Sequence, residues 1–318
     1  MSPQFPSYAG SGPYCYTHSL IMSATAAGPV PLPSPAVVET LTGAAFGFQL
    51  IAGKLPLFDP YAWDPEIGVD QAVGLLGLSC DRTSGGTDEE ALERLRSAAA
   101  RGPVLVGPVD IGLLLYRPGV PARGAGDHYV VVLDVAADGT VLLHDPQGHP
   151  YATLEAPAFL EAWRAEEITY TEAPFVMRAS FVRERAVTDE RALRDGLPLA
   201  KGWLGGRDDL PVPPGTLGGA AGIEGFAALV KAGLDPEVRG LLGHFAVRVG
   251  ARRASDAADC LSRIGLPEAA AVAREQARLI GALQRPVVAE DDDALTAGLE
   301  RLAPVYGRLR AELERSAP

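Results

Sequence analysis

Cysteine is scarce in this chain. Its three thiols, Cys15, Cys80 and Cys260, are odd in number and far apart, which excludes a disulfide framework and a clustered-cysteine zinc site and makes reduced thiols the default. Long apolar runs are also missing, and none approaches the ~18 to 20 uncharged residues of a membrane span. Residues 1–12 hold no basic start followed by an apolar core, so no signal peptide and no membrane contact are expected, and a cytoplasmic protein is. Positive charge is in short supply. Lys and Arg number 28 against 40 Asp and Glu, a net charge of −12, the opposite of what a nucleic-acid surface rewards. There is no His-x-x-x-His and no Cys-x-x-Cys, and Gly85-Gly86 and Gly205-Gly206 lack the Lys-Ser/Thr of a phosphate loop. Neither a metal nor a nucleotide nor any other cofactor is expected.

What is present is an ordinary globular composition, 47% hydrophobic and 21% charged over 318 residues, with room for two domains. Residues 1–183 carry 20 acidic and 10 basic side chains and residues 184–318 carry 20 and 18, which puts a boundary near residue 184. In the first part, Cys15 to Ala27 and Ser34 to Gly53 read as helices, the latter with Ser34 as N-cap and Pro35 in its first turn. Thr87 and Glu90 form a capping box for a third helix, running to Arg101. Short β-branched runs follow at Pro103 to Val109, His128 to Val135, Thr140 to His144, Tyr151 to Leu154 and Phe175 to Val182. Helices followed by antiparallel strands predict an α+β domain over 1–183. Residues 184–222 are rich in Gly and Pro and read as a linker or long surface loop, and 223–318 as a helical bundle.

The candidate chemistry starts at Gly10-Ser11-Gly12-Pro13-Tyr14-Cys15-Tyr16-Thr17-His18. A cysteine just after a Gly/Pro turn, at a helix start, sits where unpaired amides and the dipole stabilise a thiolate. His128 opens one strand and Asp145 ends the next, 17 residues on. That interval, spent on a strand, the Ala137-Asp138-Gly139 turn and the return strand, brings Asp145 back beside His128, where it can orient the ring toward a thiol. Cys15, His128 and Asp145 follow the Cys, His, Asp chain order of papain-like enzymes. His18, one helical turn beyond Cys15, is placed to orient a substrate. His144 and His149 flank the Asp145 turn as exposed or structural residues, and Cys80 and Cys260 sit in apolar runs as core residues.

Four stretches resemble the N-terminal domain of the butirosin biosynthesis protein H family, a papain-like group of acyltransferases. They are Cys15-Tyr16-Thr17-His18-Ser19-Leu20, Gly43 to Phe48, Pro103 to Asp110 running on to Leu115-Tyr116, and His128 to Val132 with Asp145-Pro146. The resemblance implies a papain-like catalytic domain with a helical companion domain. It also implies transfer of an acyl group from an acyl carrier protein thioester, through acyl-Cys15, to the amine of a small-molecule acceptor, an aminoglycoside. Cys15 would be the nucleophile, His128 the base and Asp145 its orienter, with Tyr16, His18, Asp110 and Tyr116 as substrate-binding residues. Papain-like proteases usually carry an oxyanion-donating glutamine shortly before the cysteine. Positions 7–12 have none and Gln4 is the nearest. The same triad would serve a thioesterase, cyclase or amidohydrolase, and a lapsed triad would leave a binding or scaffold protein. Carrier proteins are acidic, so docking calls for a basic face, and Arg248, Arg252 and Arg253 supply candidates, with Arg239 and Arg263 as neighbours.

Overall fold

The computed structural model describes residues 5–10, 12–28 and 32–316. The chain begins with α1 (Cys15–Ser23), α2 (Pro35–Leu41), β1 (Gln49–Ile51), β2 (Leu55–Leu57) and α3 (Pro65–Leu75). It continues through β3 (Leu78–Thr83), α4 (Asp88–Ala99), β4 (Val104–Asp110), β5 (Asp127–Val135), β6 (Thr140–Asp145), β7 (His149–Glu155), α5 (Ala156–Arg164) and β8 (Met177–Arg183). Then come α6 (Asp189–Gly205), β9 (Leu217–Gly218), α7 (Gly219–Ala232), α8 (Pro236–Leu241), α9 (Val247–Arg263), α10 (Pro267–Ala282), α11 (Gln284–Val288) and α12 (Asp292–Arg315). The class is α+β, with antiparallel sheets and a helical C-terminal region.

These elements form two compact units that do not follow the boundary at 184. One unit joins Met1–Pro35 to Gly77–Ala186, and the other joins Ala36–Leu76 to Val187–Pro318. The first holds a six-stranded antiparallel sheet in the order β3-β8-β4-β5-β6-β7. Its central strand reads Val130-Val131-Val132-Leu133 without alternation, because both faces are covered. Val130 and Val132 pack with Leu95 of α4 and with Phe159 and Trp163 of α5. Val131 and Leu133 pack with Met22 of α1. The capping box starts α4 as its sequence requires, Thr87 Oγ1 accepting from the Glu90 amide and Glu90 accepting from the Thr87 amide at 2.8 Å.

In the second unit β2, β1 and β9 make a small antiparallel sheet. Phe48, Leu50 and Phe58 from its early segment share one core with Ile223 and Phe226 of α7 and with Leu299, Leu302 and Tyr306 of α12. The long helix expected from Ser34 to Gly53 is therefore two elements. The α2 helix stops at Leu41, Gly43 turns the backbone into the left-handed region at φ 84°, and Gly47 lies against Pro60, where a Cβ would meet the proline backbone at 2.3 Å. Only then does the chain extend as β1. The expected linker also needs correction: residues 189–205 are helical, capped by Thr188, whose side chain accepts from the Arg191 amide. Irregular backbone is confined to 184–188 and 206–216. Glycine and proline density marks that loop correctly, but it hid the apolar spacing of Ala192, Leu193, Ala200 and Trp203, the buried residues of α6.

Candidate active site

Cys15 is the first residue of α1, and its predecessor Tyr14 adopts the left-handed conformation, φ 81°, without giving the helix a side-chain cap. The α1 helix lies along β5. Ser19 Oγ donates to the Tyr129 carbonyl at 3.1 Å, and the rings of Tyr16 and Tyr129 meet edge to face at 6.0 Å. The Cys15 sulfur thereby receives the backbone amide of Tyr129, the residue after His128, as well as that of Tyr16.

His128 and Asp145 meet as the hairpin spacing requires. The β5/β6 register pairs Val131 with His144, and the His128 Nε2 to Asp145 Oδ1 distance is 2.7 Å, with both side chains fully buried. Asp145 also accepts from the Gln147 amide at 2.8 Å on Oδ1, and from Tyr116 Oη at 3.1 Å and Arg117 Nη1 at 2.8 Å on Oδ2. Burial alone would raise this carboxyl. The hydrogen bond and charge of His128, the Gln147 amide and Arg117 outweigh it and hold Asp145 far below the usual carboxylate range. An ionised carboxylate only accepts, so His128 Nε2 carries the proton of that bond. The other ring nitrogen, Nδ1, is buried without a hydrogen-bond partner among the described residues.

The thiol departs from the sequence expectation. Burial and the carboxylate of Asp127 push Cys15 up, Asp145 adds to this, and the amides of Tyr129 and Tyr16 pull the other way without offsetting it. The helix-start amide of Tyr16 does reach the sulfur, but burial first and the two anions after it outweigh that amide and the one from Tyr129 on β5.

The remaining candidates separate. Asp110 is buried with both carboxylate oxygens committed to backbone amides, Gly112 at 3.0 Å and Gly124 at 2.6 Å. It therefore clamps the two ends of the 111–126 loop. Tyr116, at the middle of that loop, is bound to Asp145, and burial beside that anion raises its phenol. Tyr16 and His18 are buried on α1. His144 is buried, accepting from the Tyr151 amide on Nδ1 at 3.1 Å with Nε2 3.3 Å from the Pro6 carbonyl. Cys260 is core, whereas Cys80 is half-buried on the edge strand β3 and lines a groove of about 960 Å³ with Arg82, Glu93, Arg94 and Arg101. None of Cys15, His128 and Asp145 lines that groove. Gln4 and Ser11 lie outside the described residues.

The proposed docking arginines do not act together. Arg248 and Arg252 are exposed on α9, and Arg252 lies 3.6 Å from Asp256. Arg253 is buried, its guanidinium 2.8 Å from Glu39 Oε1, 3.4 Å from Asp59 Oδ2 and donating to the Phe58 carbonyl. It is a core ion-pair residue, removed from any docking face. Arg239 pairs with Asp292, and Arg263 with Asp189 and Glu190. The sequence reading missed Arg117, Asp127 and Tyr8. Tyr8 Oη donates to the Asp145 carbonyl at 2.9 Å and accepts from the Gly148 amide at 2.8 Å. Only Asp127, the immediate neighbour of His128, had a local signal.

No group of three or more His, Cys, Asp or Glu fit for a metal occurs among the described residues, nor any helix long and apolar enough to cross a membrane.

Residues 213–314 match the YobF C-terminal domain family. The matched segment contains Arg248, Arg252 and Arg253 and ends well short of the Cys15, His128 and Asp145 cluster. The chain is also 32% identical over 164 residues to a protein of Bacillus subtilis (strain 168) named as the uncharacterized protein YobF, which covers 51% of this chain and 52% of that one. The chain thus spans about half the length of the curated relative it matches.

Proposed function

We propose that the unit carrying Cys15 is a papain-like catalytic domain and that the chain is a cysteine-dependent acyltransferase of natural-product metabolism. One observation carries the reading: a buried His128 whose Nε2 is held by Asp145, whose Nδ1 has no hydrogen-bond partner among the described residues, and whose neighbouring amide, that of Tyr129, touches a helix-start thiol. The reaction starts from the protonated thiol, which burial and the Asp127 carboxylate favour. As sulfur attacks the carbonyl carbon of an acyl thioester, the thiol proton passes to His128 Nδ1, and Asp145 stabilises the imidazolium. Collapse of the tetrahedral intermediate breaks the donor's C–S bond, and the imidazolium returns the proton to the departing thiolate. An amine acceptor then attacks acyl-Cys15, loses its proton to His128 and restores the free thiol. The donor is an acyl carrier protein and the acceptor a small molecule, in a cytoplasmic setting. Arg248 and Arg252 remain the exposed cations for docking.

The raised pKa of the half-buried thiol favours a second reading, a binding or scaffold protein whose triad has lapsed. Intact-protein mass spectrometry with acyl thioesters separates the two. A stable adduct that Cys15→Ala abolishes is expected, with His128→Ala slowing its formation more than Asp145→Asn. Discharge by amine supports transfer, and discharge by water or ring closure supports a thioesterase, amidohydrolase or cyclase. Absence of any adduct at Cys15 supports the scaffold.

A further inference from the structure

We infer that Arg117 is a positioning residue of this site, holding Asp145 as an anion so that it fixes the proton of His128 on Nε2 and leaves Nδ1 bare for the thiol. The inference rests on the proposed triad, and it adds a part that the triad pattern does not contain.

Asp145 is sealed from water, and an isolated carboxyl there would protonate to escape the cost of burial. A protonated Asp145 could place a proton between itself and His128 from the wrong side. Nε2 would then become the acceptor and Nδ1 would carry the hydrogen, a tautomer unable to take a proton from Cys15. The groups facing the carboxyl are therefore decisive. From β5 comes His128, from the 111–126 loop Tyr116 and Arg117, from β7 His149, the register partner of Asp145, whose ring packs on Tyr116, from the N-terminal segment Tyr8 at the Asp145 carbonyl, and from α1 Cys15. Tyr8, Tyr116 and Cys15 are neutral in their protonated forms. His128 helps to hold the carboxylate through its hydrogen bond and, when protonated, its charge, but it must be uncharged to act as the base. Arg117 alone in this set carries a permanent charge.

Its geometry suits the task. Nη1 lies 2.8 Å from Asp145 Oδ2, and Nη2 donates to Gln147 Oε1 at 2.9 Å. The guanidinium fork thus spans the two ends of the turn whose Gln147 amide also donates to the carboxylate. The loop that delivers it is anchored at both ends by the buried carboxylate of Asp110. The order of dependence runs from Asp110 to the loop, to Arg117, to Asp145, to His128. Arg117 itself keeps 23% of its side chain exposed, so replacing it opens no sealed core.

Carboxyl-carbon NMR of aspartate-labelled protein, with the Asp145 signal assigned by Asp145→Asn, reads the effect directly. In the parent, Asp145 is expected to show no titration down to about pH 3, below the ordinary ~3.9. In Arg117→Met its midpoint is expected to rise by about one to three pH units, the span by which an adjacent arginine lowers an aspartate. Arg117→Lys, which keeps the charge and loses the fork, should stay within about one unit of the parent, and Tyr116→Phe should rise less than Arg117→Met. If Arg117→Met does not fold, Arg117→Gln reads the same midpoint. An Asp145 midpoint that is the same in the parent and the uncharged variants overturns the inference. Alkylation of Cys15 by iodoacetamide, compared between parent and His128→Ala, reports on the triad independently. Equal rates there would overturn the triad, whatever Arg117 does to Asp145.

Discussion

Replacing Arg253 by Met should cost the second unit a large part of its stability, because the side chain neutralises two carboxylates inside the core. Glu39 is fully buried and Asp59 is 7% exposed. The guanidinium lies 2.8 Å from the first and 3.4 Å from the second, and it also donates to the Phe58 carbonyl at 3.1 Å. Gln49 still donates to Asp59 Oδ1 at 2.7 Å after the change, so Asp59 keeps a partner. Glu39 loses its ion pair. Breaking a buried pair by removing one partner costs about 3–5 kcal/mol, since the surviving charge is left uncompensated. The unit has about 170 residues, and at ~2.1 cal/mol/K of unfolding entropy per residue that range becomes a fall in Tm of roughly 8–14 °C. Differential scanning calorimetry, with Arg252→Met as an exposed control on the same helix, reads it. The control should move by less than ~3 °C, since exposed pairs contribute at most about 1 kcal/mol. Equal, small shifts in both variants would refute the burial argument and return Arg253 to the list of surface cations.

Burial and the Asp127 anion both raise Cys15, so the pH midpoint of its alkylation should lie above the ~8.5 of an unperturbed thiol. Asp127→Asn, which keeps an acceptor for Tyr170 Oη, should lower that midpoint, and an unchanged midpoint would exclude Asp127 as a cause. His144 is lowered by burial, with the Pro6 carbonyl opposing. The unfolded chain therefore takes up its proton first, and the first unit should lose stability as pH falls below ~6.5. Comparing urea midpoints at pH 7 and pH 5 checks this, and His144→Gln should show a smaller loss; equal losses would count against it. A Cβ at Gly10 would meet the Pro146 carbonyl oxygen at 2.4 Å and its Cα at 2.7 Å. Gly10→Ala should therefore cost about 1–3 kcal/mol and displace the Asp145 turn, seen together as a lower Tm and slower Cys15 acylation; no change in either would refute it.

Local patterns proved readable where one stretch of chain decides the outcome. The capping box at Thr87, the hairpin that closes at Ala137-Asp138-Gly139, and the return of Asp145 to His128 all follow from spacing within about twenty residues. What spacing could not supply came from elsewhere in the chain. Arg117 reaches Asp145 from 28 residues away and Tyr8 from 137, and neither sits in a motif. The sign of the Cys15 perturbation was misread because the helix start is local while burial, the larger cause, and the opposing Asp127 charge from β5 both come from distant parts of the chain. Arg248, Arg252 and Arg253 looked alike as letters. Only packing separates the buried one, whose partners at Glu39 and Asp59 lie about 200 positions earlier.

The interleaving of the two units has a consequence during synthesis. Every residue of the first unit has been made once position 186 is reached, so it can fold as the ribosome continues. Residues 36–76 belong to the other unit, and their core partners Ile223, Phe226, Leu299, Leu302 and Tyr306 are not yet translated. At about 5–20 residues per second, the ~120 positions from 186 to Tyr306 take roughly 6–24 s. Throughout that interval Phe48, Leu50 and Phe58 form an apolar loop tethered at both ends to finished structure. A nascent chain stalled far enough beyond residue 186 for that residue to have left the ribosome should accordingly be protease-resistant on either side of this loop and cleaved within it.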